Sequence, residues 1–84
     1  MVQLVYLARL RDAFGSSGER VELPDGIASV SALLQWLRTR GGAWALELAP
    51  GRAVRVAVNH DIARAETPLK AGDEVALFPP VTGG

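Results

Sequence analysis

Phe78-Pro79-Pro80-Val81-Thr82-Gly83-Gly84 closes the chain, directly behind the strand-like run Glu74-Val75-Ala76-Leu77. Alternation along that run sends Val75 and Leu77 to one side and Ala76 and Phe78 to the other, as in a strand with one buried face. Two successive prolines remove two backbone donors and hold φ at about −65°, so the strand stops at Phe78. The chain therefore divides into a folded body, residues 1–78, and an extended tail, residues 79–84. The prolines stiffen the root of the tail, and Gly83 and Gly84 loosen its tip. At ~3.3 Å per residue, Pro79 to Gly84 spans roughly 20 Å. A tail of this shape can thread a narrow channel and deliver its terminal carboxylate to another protein's active site. Glycine suits the tip because no β-carbon hinders attack at the carbonyl. The ordinary alternative is a frayed terminus; the Pro-Pro step ahead of the diglycine argues against it.

Outward from the tail, the body reads as strands around one main helix. Val2 to Ala8 is a first strand, with Val2, Leu4, Tyr6 and Ala8 on one face and Gln3, Val5 and Leu7 on the other. The second of these faces is too apolar for an ordinary solvated surface. Arg9 to Phe14 makes a turn or two of helix closed by Gly15. Glu19 to Leu23 alternates as a second strand antiparallel to the first, ending at Pro24-Asp25-Gly26. The main helix runs from Val30 to Arg40. Ser29 is its N-cap, Val30, Leu33, Leu34 and Leu37 form its apolar stripe, and Gly41-Gly42 ends it. Trp44 to Leu48 adds a further helical turn, with Trp44 and Leu48 inward. Val54 to Val58 is a strand with Val54, Val56 and Val58 in the core. Asn59-His60-Asp61 turns it into a brief return at Ile62-Ala63. The fold class is α+β, a mixed sheet packed on one main helix.

Composition narrows the function. Eighty-four residues make one small domain, and 49% hydrophobic content supplies a core without disulfides. Nine Lys and Arg balance nine Asp and Glu, for a formal net charge of zero. That balance argues against nucleic acid or an anionic membrane as the principal partner. There is no cysteine, hence no thiol nucleophile or thiolate ligand. The apolar opening from Met1 to Ala8 is too short to span a membrane, and its basic residues follow the apolar run, the reverse of a secretory signal. The expected setting is the cytoplasm.

The catalytic inventory is poor. His60 is the lone histidine and sits in a turn, with no second His or any Cys to complete a metal site. Asp73-Glu74 precedes a strand, whose alternation sends the two carboxylates to opposite faces. Gly15-Ser16-Ser17-Gly18 lacks the Lys-Thr and following helix of a phosphate loop. Taken by itself the body is a binding module, with no metal and no cofactor of its own.

Four stretches together carry a resemblance: Val5-Tyr6-Leu7-Ala8-Arg9-Leu10-Arg11-Asp12, Ala57-Val58-Asn59, Ala71-Gly72-Asp73-Glu74-Val75-Ala76 and the closing Phe-Pro-Pro-Val-Thr-Gly-Gly. The chain resembles the small, sulfur-carrying subunits of molybdopterin synthase, ubiquitin-like β-grasp proteins, over essentially its whole length. Diglycine alone is shared with ubiquitin and thiamine-pathway carriers; the seven-residue closing motif is much more specific to the molybdopterin branch. The resemblance implies that Gly84 is the reacting group. An adenylating enzyme would use ATP to activate its carboxylate, and a sulfur donor protein would displace AMP to leave a thiocarboxylate. The large subunit of the synthase would then receive the tail (Pro79, Pro80, Val81, Thr82, Gly83) and pass the sulfur to cyclic pyranopterin monophosphate. Two small and two large subunits are implied, with the acid–base residues on the large one.

In a β-grasp sheet the first and last strands are neighbours, which brings the outward apolar residues together. Leu7, Ile62 and Phe78, extended by Val5, are expected to form a partner-docking patch beside the tail, with Arg11 as a charged rim contact. The competing readings are a thiamine-pathway carrier or a ubiquitin-like modifier using the same activation, and a module whose tail docks without reacting.

Overall fold

The structure, a computed structural model, describes residues 1–80. Val81, Thr82, Gly83 and Gly84, and with them the outer part of the expected tail, lie outside the described residues. Among the described residues eight elements follow one another: β1 (Val2–Tyr6), α1 (Arg9–Phe14), β2 (Gly18–Val21), α2 (Val30–Arg38), α3 (Gly42–Glu47), β3 (Arg55–Val58), β4 (Asp61–Ile62) and β5 (Glu74–Phe78). The strands form one mixed sheet in the order β2-β1-β5-β3-β4. β1 and β5 are parallel, and the other neighbouring pairs are antiparallel.

Alternation decides what the sheet buries. Val2, Leu4 and Tyr6 of β1 and Val75 and Leu77 of β5 are all 1% exposed or less. Val56 of β3 joins them from the neighbouring strand. Against this face lies α2, whose Val30, Leu33 and Leu37 recur at helical spacing and are buried, while Leu34 packs at their margin. Ser29 caps the helix, its hydroxyl oxygen accepting from the Ala32 N–H at 3.2 Å. Leu10 of α1 and Leu48 close the core.

Several boundaries differ from the sequence reading. β1 ends at Tyr6, because Ala8 takes φ 53° and turns the chain into α1; Ala8 is exposed, outside the inward row. β2 runs from Gly18 to Val21, and Leu23 lies beyond it, partly buried. α2 stops at Arg38, and Gly41 and Gly42 open α3 where the sequence suggested only a stop. Val54 is half-buried and precedes β3, and Ala57 is buried although it lies on the opposite face from Val56. Gly18 is required where it stands: a β-carbon there would come within 2.5 Å of the Leu4 carbonyl oxygen.

Candidate functional site

The site is built at the end of β5. This strand is held on both sides, by β1 and by β3, and its last residue, Phe78, lies opposite Arg55. Beside it the Leu7 N–H donates to the Leu77 carbonyl at 3.1 Å. Pro79 has no N–H to extend the ladder, so the chain departs from the middle of the sheet and not from an edge. Pro79 and Pro80 are half-buried at that departure point. The start of β5 is fixed equally firmly. Asp73 accepts the Lys70 N–H and the Asn59 side-chain amide, both at 2.9 Å, and Asn59 Oδ1 accepts the Glu74 N–H at 3.0 Å. Asn59 and His60 both take positive φ, 50° and 74°, in the two-residue turn between β3 and β4. The Lys70 N–H, then the Asn59 amide, hold the Asp73 carboxyl below its usual range.

The register gathers the expected apolar patch on one face. Gly18, Val5, Ala76, Ala57 and Ile62 form a single cross-strand row over all five strands. Leu7 and Phe78 lie one step further toward the tail. Ile62 is 71% exposed and Leu7 44%, whereas Val5 and Phe78 are half-buried. Arg11 is exposed on α1, and no ion pair or side-chain hydrogen bond among the described residues ties it to the patch. Sequence reasoning placed Ala76 outward beside Phe78 but did not name Ala57 and Arg55 as members of this face. Their small or charged side chains carry no signal of their own; only the pairing register places them.

The buried side of β1 carries a brace that holds this end of the sheet. The Tyr6 hydroxyl donates to Glu19 Oε2 at 2.6 Å, and Arg40 grips the same carboxylate with two hydrogen bonds of 2.7 and 3.0 Å. The Arg40 guanidinium also lies 4.5 Å from the ring centre of Trp44, which stacks on Phe14 at 3.8 Å. Burial, then the hydrogen bond to Glu19, push the Tyr6 hydroxyl well above its ordinary value. Hydrogen bonding from Arg40 keeps Glu19 below the usual carboxylate range.

What this arrangement offers chemically is presentation. Among the described residues no group of three or more His, Cys, Asp or Glu is placed to hold a metal ion, and no helix is long and apolar enough to cross a membrane. His60 is exposed, and its Nε2 lies 3.7 Å from Glu74 Oε2. A cleft of about 290 Å³ between Val2, Leu23, Ile27 and Leu69 lies at the far end of the sheet from Phe78.

The profile of the ThiS family matches residues 4–84. The "Molybdopterin synthase sulfur carrier subunit" of Haemophilus influenzae is 37% identical over 84 residues, covering 100% of both chains. Among solved structures, a Pyrococcus furiosus protein described as subunit 1 of a molybdopterin converting factor is similar, with TM-score 0.77 and 32% identity. It covers 95% of this chain and 97% of its own. The small archaeal modifier protein 1 of Haloferax volcanii is also similar, with TM-score 0.74 and 34% identity, again over 95% of this chain and 97% of its own. The fold common to them is the β-grasp.

Proposed function

The chain belongs to the ThiS family, and from that premise we propose that it is the sulfur carrier of a molybdopterin synthase. One observation carries the reading: the match to a molybdopterin synthase sulfur carrier subunit runs the full length of both chains, through Gly84. The geometry supports it, because the body roots its tail in the centre of its own sheet.

In this reading an activating enzyme joins the Gly84 carboxylate to the α-phosphate of ATP, releasing pyrophosphate. A donor supplying sulfur at the sulfide level then attacks the acyl carbon and expels AMP, leaving the C-terminal thiocarboxylate. The tail, from Pro79 to Gly84, enters the large subunit of the synthase, and the sulfur passes to cyclic pyranopterin monophosphate. Gly84 is the acyl group that carries the sulfur and returns to the carboxylate when water cleaves its bond to the transferred sulfur; proton transfer and precursor binding fall to the large subunit. The Leu7–Ile62–Phe78 face is the docking surface for that subunit, Arg11 contributes at its rim, and two copies of each subunit assemble. The setting is the cytoplasm.

Reconstitution tests it. The thiocarboxylate form, mixed with a synthase large subunit and the precursor, should yield the dithiolene product, and the carboxylate form should not. A chain lacking Gly84 that still supported synthesis would overturn the reading. The likeness to the small archaeal modifier protein favours one second reading, attachment to other proteins. Protein recovered from cells separates the two: one oxygen exchanged for sulfur marks the carrier, and isopeptide adducts on other proteins' lysines mark the modifier.

A further inference from the structure

The strand directions collect one sign of charge at the end of the sheet from which the tail departs. β1 and β5 run parallel and both finish there, whereas β3 runs the other way and begins there. Arg9 and Arg11 follow β1, and Arg52 and Arg55 lead into β3. Arg9 and Arg52 share one carboxylate, approaching Glu47 Oε1 at 3.4 and 3.0 Å, so a single acid answers two cations. Arg11 and Arg55 are exposed, and neither has an ion-pair partner among the described residues. Arg55 stands opposite Phe78 and shares its face, immediately beside the root of the tail. Asp12 and Glu19 are further acids at this end, and Glu19 is answered by Arg40. Glu22, Asp25, Asp61, Asp73 and Glu74 lie toward the opposite end against the cations Arg20 and Lys70, so a chain of zero formal net charge is electrically lopsided.

We propose that Arg9, Arg11, Arg52 and Arg55 form a cationic collar that steers the tail end of the molecule onto an acidic surface of the enzyme that activates its carboxylate. This rests on the sulfur-carrier reading. The chain is neutral overall, so the collar does not raise attraction to every anionic surface; it orients the approach, tail first. The activating enzyme is the occupant that fits, because it must release the chain once the carboxyl is converted. Rim charges act mainly on the rate of encounter, whereas apolar burial slows dissociation and suits the lasting complex with the large subunit.

Stopped-flow association of the full chain with its activating enzyme, with ATP present, tests the collar. Between roughly 30 and 300 mM salt the association rate should fall about tenfold or more. Arg11→Glu combined with Arg55→Glu should slow capture comparably at low salt and remove most of the salt dependence, with the amide spectrum of the fold retained. Arg55→Lys should keep the wild-type rate. Arg20→Glu, on the same sheet face beside Gln3 and away from the tail, should change it less than about twofold. A rate indifferent to salt, or an Arg20→Glu variant as slow as the double variant, overturns the collar while leaving the carrier reading intact. If the wild-type chain is neither captured nor adenylated at any ionic strength, the carrier reading falls and takes the collar with it.

Discussion

Asn59 and Asp73 clamp one another at the start of β5: Asn59 Nδ2 donates to Asp73 Oδ1 at 2.9 Å. The other Asp73 oxygen takes the Lys70 N–H, and Asp73 is only 4% exposed. Removing this carboxylate breaks two part-buried hydrogen bonds to an ionised acceptor. Asp73→Ala should therefore lower the unfolding free energy by about 1–3 kcal/mol, measured by urea denaturation. A midpoint equal to wild type would show that the clamp contributes nothing.

The same carboxylate sets an acid limit. Its folded pKa is depressed, so its contribution is complete above the ordinary aspartate value of about 4 and is lost as pH falls through the folded value. Glu19 acts with the same sign through Arg40, although about a third of its side chain is exposed and solvent screens part of the effect. Stability should decline below roughly pH 4, and Asp73→Asn should flatten that decline. Equal acid slopes for the two proteins would place the sensitivity elsewhere.

Tyr6 predicts the alkaline limit. It is fully buried and is the chain's one tyrosine, so absorbance at the tyrosinate band reports it alone. Its raised pKa means that the folded chain keeps the proton after the unfolded chain would lose it. Stability then falls as pH rises past about 10. Tyrosinate should appear together with loss of near-ultraviolet circular dichroism. Ionisation in a chain that stays folded would contradict the brace.

Phe78 tests the outward face. It is half-buried beside Arg55 and follows the fully buried Leu77, so truncation should spare the fold. Phe78→Ala should weaken binding to a synthase large subunit by more than about 1 kcal/mol, read by calorimetric titration. Unchanged affinity would remove Phe78 from the docking surface.

Much of this was legible in the chain itself, for identifiable reasons. β5 has strict alternation between a glycine turn and a proline pair, and α2 has a serine cap and a four-residue stripe; both kinds of signal are local. The glycines at 41 and 42 misled because a residue that closes one helix can equally open the next, and only packing against α1 and α2 selects α3. The apolar face was half visible. Leu7, Ile62 and Phe78 announce themselves by side chain and Ala76 follows from alternation, but Ala57 and Arg55 join them through register, which long-range pairing fixes. The Glu19–Arg40 pair and its tyrosine and tryptophan neighbours are equally non-local, and nothing in their spacing suggests them.

The parallel pairing of β1 with β5 has a mechanical consequence. A protein that grips the end of this chain and pulls does so along the axis of β5, and its neighbours on both sides resist by sliding. Every rung of both ladders then bears load at once, whereas a strand at an edge would peel away one rung at a time. The body can be towed by its tail, seated and extracted repeatedly, without unravelling from the point of attachment.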